Sequence, residues 1–204
     1  VLSVPLCPYR GGRSFAVTAF VTGIQSFDVV AAGLLGGQNV AGTYGAVSRW
    51  IAPLLLLPVS VGQIEAPRMV AAESNRDAWR IVRQGSILIS PTLVAAATGI
   101  VLAPSIVSTV LGQGYRDSVL PLRLLLAGVA FGALGQLLVN FLQTRGQARQ
   151  VARSFMATLA MQVGLVVVLT PRFGAIGVAA AMASSNAFAS VLVYLRARKF
   201  SRQN

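Results

Sequence analysis

Residues 85–107 read GSILISPTLVAAATGIVLAPSIV and contain no charged side chain. An α-helix needs roughly 20 apolar residues to cross about 30 Å of hydrocarbon, at ~1.5 Å per residue. This stretch is long enough to do so. It therefore predicts a helix that spans a bilayer.

Comparable apolar runs recur along the chain at residues 14–36, 40–64, 120–143, 151–170 and 174–195. Hydrophobic residues make up 55% of the 204 residues and charged residues 11%, a balance that favours lipid over water as the solvent. We predict an all-α membrane protein in which residues 1–204 form a single lobe of about six transmembrane helices. The more polar residues 65–84 are predicted to form a cytoplasmic interfacial segment, with a solvated loop as the alternative.

Basic residues concentrate on one predicted side of the membrane. The chain carries 17 Lys and Arg against 5 Asp and Glu, a formal charge of +12. Cytoplasmic loops collect Lys and Arg, so we expect a multi-pass protein of the plasma (inner) membrane with both termini cytoplasmic. The same placement argues against nucleic-acid binding, because these arginines flank membrane-spanning runs. The residues assigned to the cytoplasmic side are Arg10, Arg13, Arg68, Arg76, Arg80, Arg83, Arg145, Arg149, Arg153, Arg196, Arg198, Lys199 and Arg202.

The sequence offers little for catalysis or cofactor binding. It has no histidine, which is the commonest general base and metal ligand, and a single cysteine, Cys7. No phosphate-binding loop, paired-carboxylate site or metal-ligand spacing is present. We therefore expect a protein that is not an enzyme and that binds neither a metal nor a cofactor.

Two ionisable residues inside the predicted spans stand out, Asp28 and Arg49. A charge there is costly and usually faces a bundle interior or an aqueous cavity. Counting ~1.5 Å per residue, the two depths differ by only about 5 Å, so the side chains could pair or line one cavity. The alternative is that Arg49 snorkels to the membrane surface.

The fourth span carries small and polar residues along one helical face. Gly128 and Gly132 are spaced for close helix packing, and Gln136 and Asn140 continue the same face. We assign the glycines to packing and the two amides to a cavity wall, with amide bonds between helices as the alternative. The candidate substrate-binding residues are therefore Asp28, Arg49, Gln136 and Asn140.

Short motifs along the chain resemble one transporter family. Asp28 is followed by a glycine-rich loop and by VAGTYGA at residues 40–46, then by Pro58 and Pro67, LGQGY at 111–115 and PRFGAIG at 171–177. In this order, over residues 14–198, they resemble the C-terminal half of the polysaccharide transporter family, the oligosaccharide flippases of the MATE-like (MOP) superfamily. The resemblance implies two six-helix lobes around a central cavity, of which this chain would be the second.

The resemblance also implies a function. The chain would be a flippase half that translocates lipid-linked oligosaccharide for cell-surface polysaccharide biosynthesis. Its partners would be membrane lipids and a missing N-terminal six-helix lobe or a second chain; because it opens at Val1 without an initiator methionine, we expect a fragment. Arg49 would attract the pyrophosphate of a polyprenyl-pyrophosphate-linked oligosaccharide, and Gln136 and Asn140 would contact sugar hydroxyls.

Two other functions stay open at this point. A cation-coupled multidrug exporter of the same superfamily would need buried carboxylates, of which the spans offer only Asp28. A membrane scaffold without transport activity would use Asp28 and Arg49 as a structural ion pair.

Overall fold

The computed structural model describes residues 27–203, and in them every regular element is a helix. The last side chain it describes is that of Ser201. The elements in chain order are α1 (Phe27–Ser48), α2 (Ala52–Ala71), α3 (Asn75–Leu88), α4 (Ser90–Ile106), a π-helical turn (Val107–Leu111), a 3₁₀ turn (Gln113–Ser118), α5 (Val119–Thr144), α6 (Ala148–Phe173) and α7 (Ala175–Gln203).

Five stretches of the described chain are long and apolar enough to cross a membrane, namely Ala52–Ala71, Asn75–Leu111, Gln113–Thr144, Ala148–Phe173 and Ala175–Ser201. The chain is therefore an all-α, multi-pass membrane protein, as the sequence predicts. The first predicted span, residues 14–36, lies mostly outside the described residues, as do Cys7, Arg10 and Arg13.

Helix α1 is a pair of helical arms that reverse direction at Gly37. Gly37 has a φ of 80° and a ψ of 178°, which break the helix. The Tyr44 hydroxyl donates a 2.5 Å hydrogen bond to the Asp28 carboxylate. Sixteen positions of continuous helix would hold these residues about 24 Å apart. The arms therefore pack against each other, and the turn falls within the glycine-rich loop that the sequence places between the first two spans.

Helix α2 continues beyond the predicted end of the second span. It runs to Ala71, and α3 begins at Asn75 after Ser74, whose hydroxyl accepts a hydrogen bond from the Asp77 N–H and so caps the helix. Residues 65–84, predicted as an interfacial segment, are thus divided between the end of α2, a short turn and the first turns of α3. The apolar stripe of α2 reaches Met69, which is fully buried and stabilises these last turns.

Most turns between helices fall at two opposite ends of the bundle. At one end, the Arg145 guanidinium donates 2.9 Å hydrogen bonds to the carbonyls of Ala72 and Ser74, joining the α2–α3 turn to the α5–α6 turn. The C-terminal part of α7 reaches the same end, because the Phe141 ring packs edge-on against the rings of Trp79 and Phe200. We call this the basic end.

The opposite end is made of glycine turns. Gly37, Gly112 and Gly174 have positive φ angles there, a conformation that favours glycine. A Cβ on Gly174 would lie 3.3 Å from the Val40 side chain, which brings the α6–α7 turn beside the α1 turn. Near the glycine turns lie Arg116 and Arg172, whereas the described residues close to the basic end are Arg68, Arg76, Arg80, Arg83, Arg145, Arg149, Arg153, Arg196, Arg198 and Lys199.

This separation leads to a topology prediction. With Cys7 replaced by Ser, single cysteines at Gln147 and Ser201 should resist membrane-impermeant thiol reagents in intact cells, because the basic end should be cytoplasmic. A cysteine at Asn39, in the turn at the other end, should be labelled. Equal labelling of Gln147 and Asn39 from outside would contradict an arrangement in which the two turns face opposite sides of the membrane.

Candidate substrate-binding site

Asp28 lies in the bundle interior and is occupied by local hydrogen bonds. The Tyr44 hydroxyl donates to Oδ2, and the Val29 backbone N–H donates to Oδ1 at 2.8 Å. Both Asp28 and Tyr44 are buried, at 4% and 0% exposure. A buried carboxylate needs such donors, since an unpaired charge is very costly in an apolar interior. Asp28 thus holds the two arms of α1 together.

Arg49 lies at a break in the chain between α1 and α2. The N–H groups of Trp50 and Ile51 donate to the carbonyls of residues 47 and 48, as in a tight turn. Pro53, at the start of α2, has no N–H to donate. The Arg49 side chain is exposed at this break. Arg49 has no hydrogen bond or ion pair with any described side chain. It therefore does not pair with Asp28, whose carboxylate is bonded to Tyr44.

An open groove runs along α1 beside Arg49. Its volume is about 530 Å³, and its walls are mostly small or aliphatic side chains: Val29, Val30, Ala41, Gly42, Gly45, Ala46 and Ser48. A Cβ on Gly42 would meet no atom within 4 Å, so this wall is open and not filled by a neighbouring helix of the described chain. Among the described residues that line this groove, Arg49 is the one that carries a charge.

Gln136 and Asn140 lie elsewhere, at the contact between α5 and α2. The Gln136 side-chain N–H donates a weak 3.5 Å hydrogen bond to the Asn140 amide oxygen. The Asn140 amide packs directly against Gly62, in the space that the Cβ of any other residue at position 62 would occupy. Gly62 is separated from Arg49 by about 20 Å of chain along α2, at ~1.5 Å per residue. The four candidates therefore do not form one site. Arg49 lines the groove, Gln136 and Asn140 lie at the contact between α5 and α2, and Asp28 is buried between the arms of α1.

The glycines on the same face of α5 pack against α7. A Cβ on Gly128 would lie 3.0 Å from the Ala183 Cα, and one on Gly135 would lie 2.6 Å from the Ser190 hydroxyl. That hydroxyl donates a 2.6 Å hydrogen bond to the Phe131 carbonyl of α5. The packing role assigned to this glycine face agrees with these contacts.

Arg123, a basic residue inside α5, satisfies the backbone of a neighbouring helix. Pro104 has no N–H, which leaves the carbonyl of Ile100, four residues earlier, without its helical donor. The Arg123 Nε–H donates a 3.0 Å hydrogen bond to that carbonyl. This arginine is therefore used by the fold and is not a candidate for substrate binding.

One buried acid, Glu65, was not among the candidates predicted from sequence. It is only 1% exposed, and its Cγ lies near Gly85 of α3, in a space that α5 also borders through Leu137. One carboxylate oxygen accepts a 3.2 Å hydrogen bond from Arg68, and the other has no partner among the described residues. The available signal was periodicity, because Glu65 falls on the same stripe as Val61 and Met69.

The described residues contain no cluster of three or more acidic, His or Cys side chains able to hold a metal ion. The groove at Arg49 is the cavity whose described lining includes one of the four candidate residues. Comparisons with known proteins found no match to this chain among protein-family models, curated proteins or solved structures.

Proposed function

We propose that this chain is one lobe of a membrane flippase that moves a polyprenyl-pyrophosphate-linked oligosaccharide across the plasma (inner) membrane for cell-surface polysaccharide biosynthesis. The observation that carries the proposal is the groove along α1 with Arg49 at its edge. The order of motifs that resembles the oligosaccharide flippases of the MATE-like superfamily supports it. In this proposal both termini are cytoplasmic, and a second six-helix lobe or a second chain faces the groove.

The chemistry of Arg49 suits a pyrophosphate. Its guanidinium presents a planar set of N–H donors that can hold two phosphate oxygens at once. No described carboxylate forms an ion pair with it. The two buried ones have other partners, since Asp28 accepts from Tyr44 and Glu65 from Arg68. The walls of the groove are short side chains, which leave room for an isoprenoid chain or a sugar.

The two amides fit a sugar-binding role only if the oligosaccharide is extended. Gln136 and Asn140 are half-buried, so part of each amide is open to a hydroxyl group. The distance of about 20 Å along α2 from Arg49 means that pyrophosphate and sugar would bind at separate positions. We propose this division, with Arg49 for the pyrophosphate and the amides for the sugars.

A second candidate is a cation-coupled multidrug exporter lobe of the same superfamily. The observation that favours it is Glu65, which adds a second buried carboxylate to Asp28. Such acids can exchange a cation for a drug during transport. Under this alternative, the carboxylates would be essential and Arg49 would not.

The two functions can be separated in cells. The chain, with its companion lobe supplied, should restore surface polysaccharide in a host that lacks its own flippase, and should leave drug tolerance unchanged. Restored drug tolerance without polysaccharide would favour the exporter. Restoration of neither at normal protein abundance would overturn both transport assignments and favour a scaffold.

A further inference from the structure

Helices α3 and α4 form one continuous rod with a single buried stripe. Ile89, between them, keeps helical φ and ψ angles, and its N–H bonds to the Gly85 carbonyl. Buried residues follow one another at steps of three, four or seven positions across the junction, which is the spacing of one helical face. These residues are Ala78, Val82, Gly85, Ile89, Thr92, Ala96 and Ala103.

The opposite stripe of this rod changes from basic to aliphatic along its length. Arg76, Arg80 and Arg83 are exposed and lie at steps of four and three residues. The stripe continues at Ile87, Val94 and Val101, whose exposed fractions are 69%, 63% and 73%. In a membrane protein, exposed aliphatic side chains on such a helix face lipid chains, so the arginines next to them lie near the level of the phosphates.

The arginine part of this stripe keeps a positive charge even though Arg80 pairs with Asp77. Arg80 contacts Asp77 at 3.2 Å, but both side chains are well exposed, and such surface pairs are weak. Arg76 and Arg83 have no partner among the described side chains. The stripe therefore offers guanidinium groups directly above an apolar track, which matches the phosphate and acyl chain of one lipid molecule.

We infer that this stripe binds an anionic phospholipid, with its phosphate headgroup at Arg76, Arg80 and Arg83 and an acyl chain along Ile87, Val94 and Val101. The ligand is a bulk lipid of the leaflet at the basic end and is distinct from the transported substrate. The inference holds whether or not the chain is a flippase, because it depends only on the chain residing in a membrane. Arginine suits the role through paired hydrogen bonds to phosphate oxygens.

The test uses the full chain in phosphatidylcholine vesicles with a spin-labelled lipid as the probe. The fraction of immobilised label should be severalfold higher for phosphatidylglycerol than for phosphatidylcholine. The triple variant Arg76→Gln, Arg80→Gln, Arg83→Gln should bring this ratio close to one. The matched control, Arg149→Gln, Arg153→Gln, Arg198→Gln, removes the same charge near the same end and should preserve the ratio.

A second measurement keeps all the arginines. In a Cys7→Ser background, a fluorophore on Ile87→Cys should be quenched more by brominated phosphatidylglycerol than by brominated phosphatidylcholine. The same fluorophore on Val168→Cys, on the exposed side of α6, should show no such preference.

Three results would overturn the inference. The first is equal quenching at Ile87 by the two lipids. The second is an equal loss of phosphatidylglycerol preference in the two triple variants, which would indicate net charge without a site. The third is displacement of the labelled phospholipid by a small fraction of polyprenyl pyrophosphate, which would make the stripe a substrate-loading surface.

Discussion

Replacing Arg49 by Ala should reduce polysaccharide export by roughly tenfold or more, because a lost charge-assisted hydrogen bond costs about 1.5–3 kcal/mol. Arg49→Lys should have a smaller effect, since lysine keeps the charge but cannot hold two phosphate oxygens in the same plane. Both variants should still insert into the membrane. The measurement is surface polysaccharide in a host without its own flippase, with the companion lobe supplied and protein abundance matched.

A matched control comes from Arg172, another exposed arginine, which does not line the groove. Arg172→Ala should export at nearly the wild-type rate. A further arm exchanges charges in the double variant Asp28→Arg, Arg49→Asp. Because Asp28 bonds to Tyr44 and not to Arg49, the exchange should not restore export. Recovery by the exchange would reveal an Asp28–Arg49 ion pair and would favour a scaffold role.

The second large effect is expected at Gly177, in the first turns of α7. A Cβ there would lie 2.4 Å from the carbonyl oxygen of Leu169 and 2.6 Å from its carbonyl carbon. These are backbone atoms of α6, so they cannot move aside as a flexible side chain would. Gly177→Ala should therefore separate the α6–α7 hairpin and destabilise the protein by about 1–3 kcal/mol or more.

The measurement is the thermal unfolding midpoint of the purified chain in detergent. Gly164→Ala provides the control, because it lies in α6 with nothing within 4 Å of the added carbon. That variant should unfold at or slightly above the wild-type temperature, since alanine favours a helix over glycine. Equal midpoints for the two variants would mean that the hairpin does not pack as closely as described.

The membrane class could be predicted from sequence because lipid imposes a strong, local requirement. Each span must be predominantly apolar over about 20 residues, and residues 85–107 meet this condition without reference to any other part of the chain. The reversal of the chain at Gly37 could be predicted for the same reason, because a glycine-rich loop between two apolar runs is a local signal. The packing role of Gly128 and Gly132 also followed from spacing alone.

The arrangement of the polar residues could not be predicted in the same way. Counting residues gives depth in the membrane, and Asp28 and Arg49 are close in depth, but direction around a helix axis turns by about 100° per residue. Whether two side chains pair also depends on how the two arms of α1 pack against each other. In this packing Tyr44, and not Arg49, reaches Asp28. Glu65 was not predicted to be buried because its burial depends on tertiary packing, in which Gly85 of α3 and Leu137 of α5 come near it.

The central claim, that this chain forms part of a lipid-linked oligosaccharide flippase, can be measured directly in vesicles. The chain and its companion lobe are reconstituted with a fluorescent polyprenyl-pyrophosphate-linked oligosaccharide, and a glycosidase added outside reports how fast sugar from the inner leaflet becomes accessible. We predict faster exposure than in protein-free vesicles, and a loss of that gain with Arg49→Ala. Exposure no faster than in protein-free vesicles, from correctly inserted wild-type protein, would contradict the account.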